Sequence, residues 1–230
     1  IEATNSSLLR YQYARYLLGK QKLTEAKAQF DVLIADQAAT VDHLIGAAVL
    51  DIELSDSASA LLHLDRALSF GQRVNDAHFF KALALIQLND VSGALKALGA
   101  VGPSTNYGRA LQEAAAILVS QGDIGAANVF FEEHRQVHVD GAELNFALHA
   151  ETLQTLGSIQ AESVLSRGIS TFPTSTRLLF ARANFRERAG FFRSGSRLRG
   201  ESRRRHHQVF GRRTAGGARR WRARWVALAS

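Results

Sequence analysis

Small and bulky apolar residues recur along the chain at intervals of 33 or 34 residues. In the first four periods a small residue is followed twelve positions later by an alanine, and a bulky apolar residue follows that alanine after four more positions. A fixed period of this length is typical of a repeat protein, in which each unit buries its apolar face against its neighbours. The members of the pattern are Ala14, Ala26 and Phe30; Ala48, Ala60 and Leu64; Ala82, Ala94 and Leu98; Ala115, Ala127 and Phe131; and, in a fifth period, Ala161 and Leu165.

Short polar segments divide each period between its two small residues. Asn89-Asp90 and Gly157-Ser158 are examples, and they lie where one helix would end and the next would begin. Alanine is expected on both helices because antiparallel helices approach closely only where side chains are small. A bulky side chain one helical turn later fills the space beside each alanine. We therefore expect about five helix–turn–helix units and a truncated sixth over residues 5–192.

The fifth unit departs from the spacing of the others. Ala150 stands one place late for a distance of twelve residues to Ala161, so we expect the turn between its helices to be one residue short. Pro173 follows Ala161 by twelve residues, at a point where the second helix should end. Proline suits that point because it cannot continue a helix.

Together these positions resemble the tetratricopeptide repeat over about four fifths of the chain. That repeat has small residues at its eighth and twentieth positions, an aromatic residue or leucine at its twenty-fourth, and proline at its thirty-second. The first four units lack the proline. The resemblance implies an all-α, right-handed solenoid whose usual role is to bind other proteins or peptides.

A narrower resemblance rests on four stretches between residues 8 and 192. Tyr13-Ala14-Arg15, residues 23–30, residues 76–79 and Ala100-Val101-Gly102-Pro103 are similar to the tetratricopeptide-repeat lipoproteins of gram-negative outer membranes, which act as adaptors of a carboxyl-terminal processing protease. This resemblance implies a periplasmic, outer-membrane-associated adaptor whose partners are the protease and its substrates. A cytoplasmic scaffold or co-chaperone of the same fold is the alternative.

Three features of composition narrow these possibilities. The chain begins at Ile1 and has no methionine, so we expect a processed product or a fragment whose targeting segment is outside the sequence. It has no cysteine, which excludes disulfides and thiolate metal sites. Its longest apolar stretches fall short of the ~20 residues that a membrane-spanning helix needs.

Charge is divided unequally along the chain. Residues 193–230 hold twelve arginines, no lysine and one acid, Glu201, so their formal charge is +11. Because the net charge of the whole chain is +7, residues 1–192 carry −4. Three interpretations of this segment stay open. It is an arm that binds nucleic acid or an anionic membrane, a disordered tail, or the product of a shifted reading frame. Only the first interpretation makes nucleic acid a partner.

The sequence predicts no catalytic residues, no cofactor, no metal site and no small-molecule substrate. His134 and His138 have a spacing that suits a metal, but the order Glu-His-x-x-x-His differs from that of zinc hydrolases and no third ligand is evident. No glycine-rich phosphate loop or Gly-x-Ser-x-Gly elbow occurs. The chain is therefore predicted to act by binding.

Binding is expected on the first helix of each unit, because stacked repeats curve so that their first helices line a concave groove. Aromatic and polar side chains at these positions would suit an extended peptide or a protein loop. The alternative is that Tyr11 and Phe79 fill the seam between units. The predicted groove residues are Tyr11, Gln12, Arg15, Asp42, Phe79, Arg109 and Gln112.

Overall fold

The computed structural model describes residues 6–36 and 39–189. Within these ranges the chain forms α-helices and one short 3-10 helix, Val139–Gly141, and no strand. The α-helices are α1 (Ser7–Gly19), α2 (Leu23–Ala35), α3 (Val41–Glu53), α4 (Ser57–Ser69), α5 (Val74–Gln87), α6 (Val91–Gly99), α7 (Tyr107–Gln121), α8 (Ile124–Val137), α9 (Ala142–Thr155), α10 (Gln160–Thr171) and α11 (Thr176–Arg188). The segment 193–230, with its three interpretations, lies outside the described residues.

The described helices belong to two compact units, which divide between Arg73 and Val74. In the first unit α2 packs against α1 and α3, and α3 packs against α4. In the second unit α9 packs against α7, α8, α10 and α11. The first helices α7, α9 and α11 of successive helix pairs are therefore neighbours in space as well as in repeat order.

The predicted pairing of helices is confirmed, and the chain has an all-α helical-repeat fold. The odd-numbered helices α1 to α9 carry the first small residue of each period, and the even-numbered helices α2 to α10 carry the second. All five alanines of the second series and all five bulky residues that follow them are buried. In the first series Ala14, Ala48 and Ala82 are buried, whereas Ala115 is partly exposed and its neighbour Ala114 is buried instead.

The turns between paired helices share a residue with left-handed backbone geometry. In every helix pair this residue lies seven residues after the small residue of the first helix (Ala14, Ala48, Ala82, Ala115 or Ala150), and its φ lies between 59° and 76°. The residues are Gln21, Ser55, Asn89, Gly122 and Gly157. The second-series alanine comes five residues later in four units but only four residues later, at Ala161, in the fifth. The fifth turn is therefore one residue short, in agreement with the late position of Ala150.

Aspartate side chains start three of the second helices. Asp56, Asp90 and Asp123 each accept a hydrogen bond from the backbone N–H three residues later. These bonds satisfy N–H groups that have no partner inside the helix, which favours helix initiation at these residues. At the other end of the fifth pair, α10 stops at Thr171 and Pro173 is exposed just beyond it.

Candidate interaction surface

The predicted groove residues of the first unit lie on α1 and α3 and are only partly accessible. Tyr11 is half-buried, and its ring contacts Phe30 edge-on and His43 at centroid distances of 6.1 and 5.2 Å. The Arg15 guanidinium lies 5.7 Å from the centre of the Tyr11 ring. Burial raises the pKa of Tyr11 above its usual range. Tyr11 therefore packs against both helix pairs of the unit, as the alternative interpretation proposes.

Two other predicted residues of the first unit are exposed. Gln12 is exposed on α1. Asp42, at the start of α3, forms an ion pair with Arg73. Because both charges of this pair are about half exposed, water screens it and its contribution to stability is small. Asp42 is thus accessible, but its charge is already matched within the unit.

The predicted residues of the second unit lie on α5 and α7 and have different environments. Phe79 is fully buried and contacts Phe80 edge-on, so its prediction as a groove anchor is wrong and it belongs to the interior. The Arg109 guanidinium lies 5.5 Å from the centre of the Phe79 ring, which it helps to cover. Gln112 is exposed on the next turn of α7. Of the three predicted side chains, only Gln112 is fully open to a partner.

His134 and His138 bind the protein's own backbone. Nε2 of His134 lies 3.2 Å from the carbonyl oxygen of Val101, and its Nδ1 lies 3.3 Å from the side-chain nitrogen of Asn145. Nε2 of His138 lies 3.2 Å from the carbonyl oxygen of Gly99. The two histidines therefore tie the end of α8 to the last residue of α6 and to the loop that follows it. Within residues 6–36 and 39–189 there is no group of three or more potential metal-binding side chains.

His149 is a second buried histidine, and it was not singled out from the sequence. It immediately precedes Ala150, the first-series residue of α9. Its ring stacks on Phe131, its Nε2 lies 2.9 Å from the side-chain oxygen of Asn128, and its Nδ1 accepts from Arg135 at 3.2 Å. The repeat pattern gave no signal for His149, because the equivalent residues Tyr13, Ala47, Lys81 and Ala114 share no common character.

Burial keeps this part of the second unit low in charge. It lowers the pKa of His149 to about 3 and that of His134 to about 4, so both imidazoles are neutral at pH 7. Burial also lowers the pKa of Arg135 to about 10, which still leaves its guanidinium charged at that pH. Arg135 donates to the side-chain oxygen of Asn145 at 2.6 Å and lies over the Phe146 ring at 4.2 Å. These contacts fix α8 against α9.

The accessible surface of the first helices in the second unit follows the repeat register. The first-series residues of α7, α9 and α11 are Ala115, Ala150 and Ala183. The positions six, three and two residues before each of them, and one residue after it, are exposed or partly exposed. We call these twelve residues the open face. They are Arg109, Gln112, Glu113 and Ala116 on α7; Leu144, Ala147, Leu148 and Glu151 on α9; and Arg177, Phe180, Ala181 and Asn184 on α11.

The open face combines apolar and charged side chains. Leu144, Ala147 and Leu148 pack against the core of the unit and are partly exposed along α9. Phe180 is 69% exposed on α11. Burial raises the pKa of Glu113 above its usual range, and the charge of Arg109 opposes that rise. A surface with apolar side chains beside separated charges can bind a segment of another protein, since the apolar groups give affinity and the charges select its sequence.

Sequence reasoning found two members of the open face, Arg109 and Gln112, and missed the others. Phe180 could have been predicted from the sequence, because it lies three residues before the small residue Ala183, as Gln112 lies three residues before Ala115. The apolar members on α9 are Leu144, Ala147 and Leu148. The sequence pattern does not distinguish them from core residues, because each is partly buried against the core.

Comparison with known proteins finds similarity to solved structures and matches no family. No protein-family model and no curated protein matches the chain. Among solved structures, the C-terminal part of a TPR repeat-containing protein from Cytophaga hutchinsonii is similar, with 16% identity, coverage of 80% of this chain and 74% of that chain, and a TM-score of 0.49. The described helices include none that is both long and apolar enough to cross a membrane.

The class of the protein follows from its own helices. Helix pairs recur with the 34-residue period, and small buried residues lie at corresponding places on both helices of successive pairs. The chain is accordingly an all-α helical-repeat protein, with a period that resembles that of the tetratricopeptide repeat.

Proposed function

We propose that the protein is a non-catalytic scaffold that binds other proteins through the open face of its second unit. The observation that carries this proposal is that the first helices α7, α9 and α11 are accessible at the same repeat positions. Gln112 and Phe180 are exposed at the same repeat position, and Ala147 is partly exposed at that position between them. A face that is accessible on three successive helices offers a partner a continuous row of contacts.

Site-specific photo-crosslinking of the full chain tests this proposal. A photoreactive amino acid placed at Gln112 or Ala116, both exposed on α7, should give adducts with partner proteins in cell extract. The same amino acid at Val129, which is exposed on the second helix α8, is the matched control. We expect adducts specific to the α7 positions. Identical adducts from Val129 would contradict the proposal.

A finer proposal concerns cellular role and location. We propose that the complete protein is a periplasmic, outer-membrane-associated adaptor of a carboxyl-terminal processing protease, as the resemblance of residues 13–15, 23–30, 76–79 and 100–103 suggests. An adaptor of this kind raises the effective concentration of substrate near the enzyme by holding both partners. Cleavage of a protein substrate by such a protease, measured with and without the chain, tests the role. An unchanged cleavage rate would contradict it, and recovery of the complete gene product in the cytoplasm would favour the cytoplasmic scaffold.

A further inference from the structure

On α11 the open face continues to Arg188, at the end of the helix, as a charged and aromatic stripe. Arg177, Phe180, Ala181, Asn184 and Arg188 follow the spacing of one side of a helix, at intervals of three or four residues. Arg177, Phe180 and Arg188 are exposed. The stripe therefore presents an aromatic ring between two guanidinium groups.

Phe180 is exposed at a position that is also accessible on the two preceding first helices, α7 and α9. Leu179, its neighbour, is 41% exposed, although the corresponding residues Leu111 and Phe146 are buried. The exposure of Leu179 is therefore peculiar to α11. Phe180 differs, because its position is also exposed on α7, at Gln112, and partly exposed on α9.

The charge of α11 is unusual for this chain. The helix carries four arginines and one acid, whereas residues 1–192 as a whole have a formal charge of −4. Arg186 is neutralised by an ion pair with Glu162 of α10. Arg177 and Arg188 form no ion pair with the residues that the structure describes. Two positive charges on the stripe are thus open to a partner.

We propose that this stripe binds an extended, acidic segment of another protein, in which one bulky apolar side chain lies between two carboxylates. The proposal rests on the proposed function and names the class of partner. The apolar side chain would pack on Phe180, and the carboxylates would pair with Arg177 and Arg188. Residues 193–230 of the chain itself do not suit the stripe, because their charge of +11 is of the same sign.

Helix geometry sets the spacing of the partner's residues. At about 1.5 Å per residue, Phe180 lies about 4.5 Å along the helix from Arg177 and about 12 Å from Arg188. An extended segment advances about 3.4 Å per residue. The apolar residue should therefore lie about one or two residues from one carboxylate and about three or four residues from the other.

Fluorescence polarisation with a designed peptide tests the proposal. The probe is a fluorescein-labelled Gly/Ser peptide with a leucine about two residues after one aspartate and about four residues before another, a spacing that matches the stripe. The full chain is compared with Phe180→Ala and Arg177→Gln. Leu179→Ala and Arg182→Gln are matched controls, since they remove an exposed apolar side chain and an unpaired arginine from α11 away from the stripe.

We expect Phe180→Ala and Arg177→Gln each to raise Kd about tenfold, and Leu179→Ala and Arg182→Gln to change it less than about twofold. Replacing leucine by serine, or both aspartates by asparagine, should weaken binding to a similar extent. Equal affinity for all variants would overturn the proposal and would assign the binding to the arginine-rich segment. Binding to anionic phospholipid vesicles that depends on Phe180, without binding of the peptide, would also overturn it.

Failure of this proposal can be told apart from failure of the proposed function. If the peptide does not bind but adducts still form specifically at Gln112 or Ala116, the open face binds a partner of another chemistry. If adducts from α7 and from the α8 control are identical as well, the scaffold proposal itself is contradicted.

Discussion

The imidazole of His149 lies parallel to the ring of Phe131, with the ring centroids 5.0 Å apart and an angle of 13° between the planes. Phe131, the bulky residue four positions after Ala127 on α8, thus packs against the residue that precedes Ala150 on α9. His149 is fully buried and is held by Asn128 and Arg135. The second unit therefore contains a histidine that must stay neutral for its helices to pack.

Acidification should destabilise the second unit because of its two buried histidines. Unfolded histidine takes up a proton near pH 6.5, whereas His149 and His134 do so in the folded state only at about 3 and 4. The unfolded state thus binds more protons below pH 6.5, and stability is lost as the pH falls through that window. We expect a loss of about 2 kcal/mol per histidine between about pH 7.5 and about pH 5. Urea denaturation followed by circular dichroism at several pH values measures it.

The control for this pH dependence is His149→Gln, which removes one titrating group and keeps a polar side chain. The variant should be less stable than the parent chain at neutral pH, since glutamine does not reproduce the stacking on Phe131. Its further loss of stability on acidification should be smaller by about 2 kcal/mol. An equal loss in the two proteins would show that His149 does not contribute.

A buried carboxylate in the first unit permits a second prediction. Asp51 is buried on α3 between Lys27, whose Nζ lies 2.5 Å from one carboxylate oxygen, and His63, whose Nε2 lies 3.3 Å from the other. Burial raises the pKa of Asp51, and the hydrogen bond from Lys27 opposes that rise. Lys27→Met should destabilise the unit by about 1–3 kcal/mol at pH 7, because a buried carboxylate loses its main partner.

The double variant Lys27→Met, Asp51→Leu distinguishes a poorly compensated charge from lost packing. Leucine occupies the corresponding position in the four other helix pairs, as Leu17, Leu85, Leu118 and Leu153. We expect the double variant to recover most of the stability lost in Lys27→Met, as measured by urea denaturation. If both variants lose the same stability, the ion pair is not the cause.

Phe79 and Phe180 show why the fold could be predicted more fully than the surface. They hold the same position in their repeats, yet Phe79 is fully buried and Phe180 is 69% exposed. The second alanine series could be identified because all five of its members are fully buried between helices. Burial of a groove position instead depends on individual neighbours, such as Arg109 over the ring of Phe79. That information is not periodic, so counting residues placed the helices and misassigned Phe79.

Close packing at Gly46 gives a third prediction. A Cβ atom at Gly46, in the buried middle of α3, would lie 2.5 Å from a ring carbon of Phe30. Phe30 is itself buried and cannot move away freely. We expect Gly46→Ala to destabilise the protein by about 1–3 kcal/mol in thermal or urea denaturation. At Gly99 the nearest contact of a Cβ would be an ordinary 3.6 Å, so Gly99→Ala should be neutral or slightly stabilising. Equal effects of the two substitutions would contradict the assignment of strain to Gly46.

The left-handed turn residues give a fourth prediction, in which substitutions at two equivalent sites change the stability of the protein in opposite directions. Gln21 has a φ of 60° in the first turn, and Gly122 has a φ of 70° at the equivalent place in the fourth. A side chain disfavours this conformation by roughly 1–2 kcal/mol relative to glycine, although glycine loses more entropy on folding. Gln21→Gly should therefore stabilise the protein by about 0.5–1 kcal/mol, and Gly122→Ala should destabilise it by about 1 kcal/mol. A Cβ at Gly122 would meet no atom within 4 Å, so a clash cannot account for the second effect. Urea denaturation of both variants measures the changes, and a destabilised Gln21→Gly would show that contacts of the glutamine side chain outweigh its backbone strain.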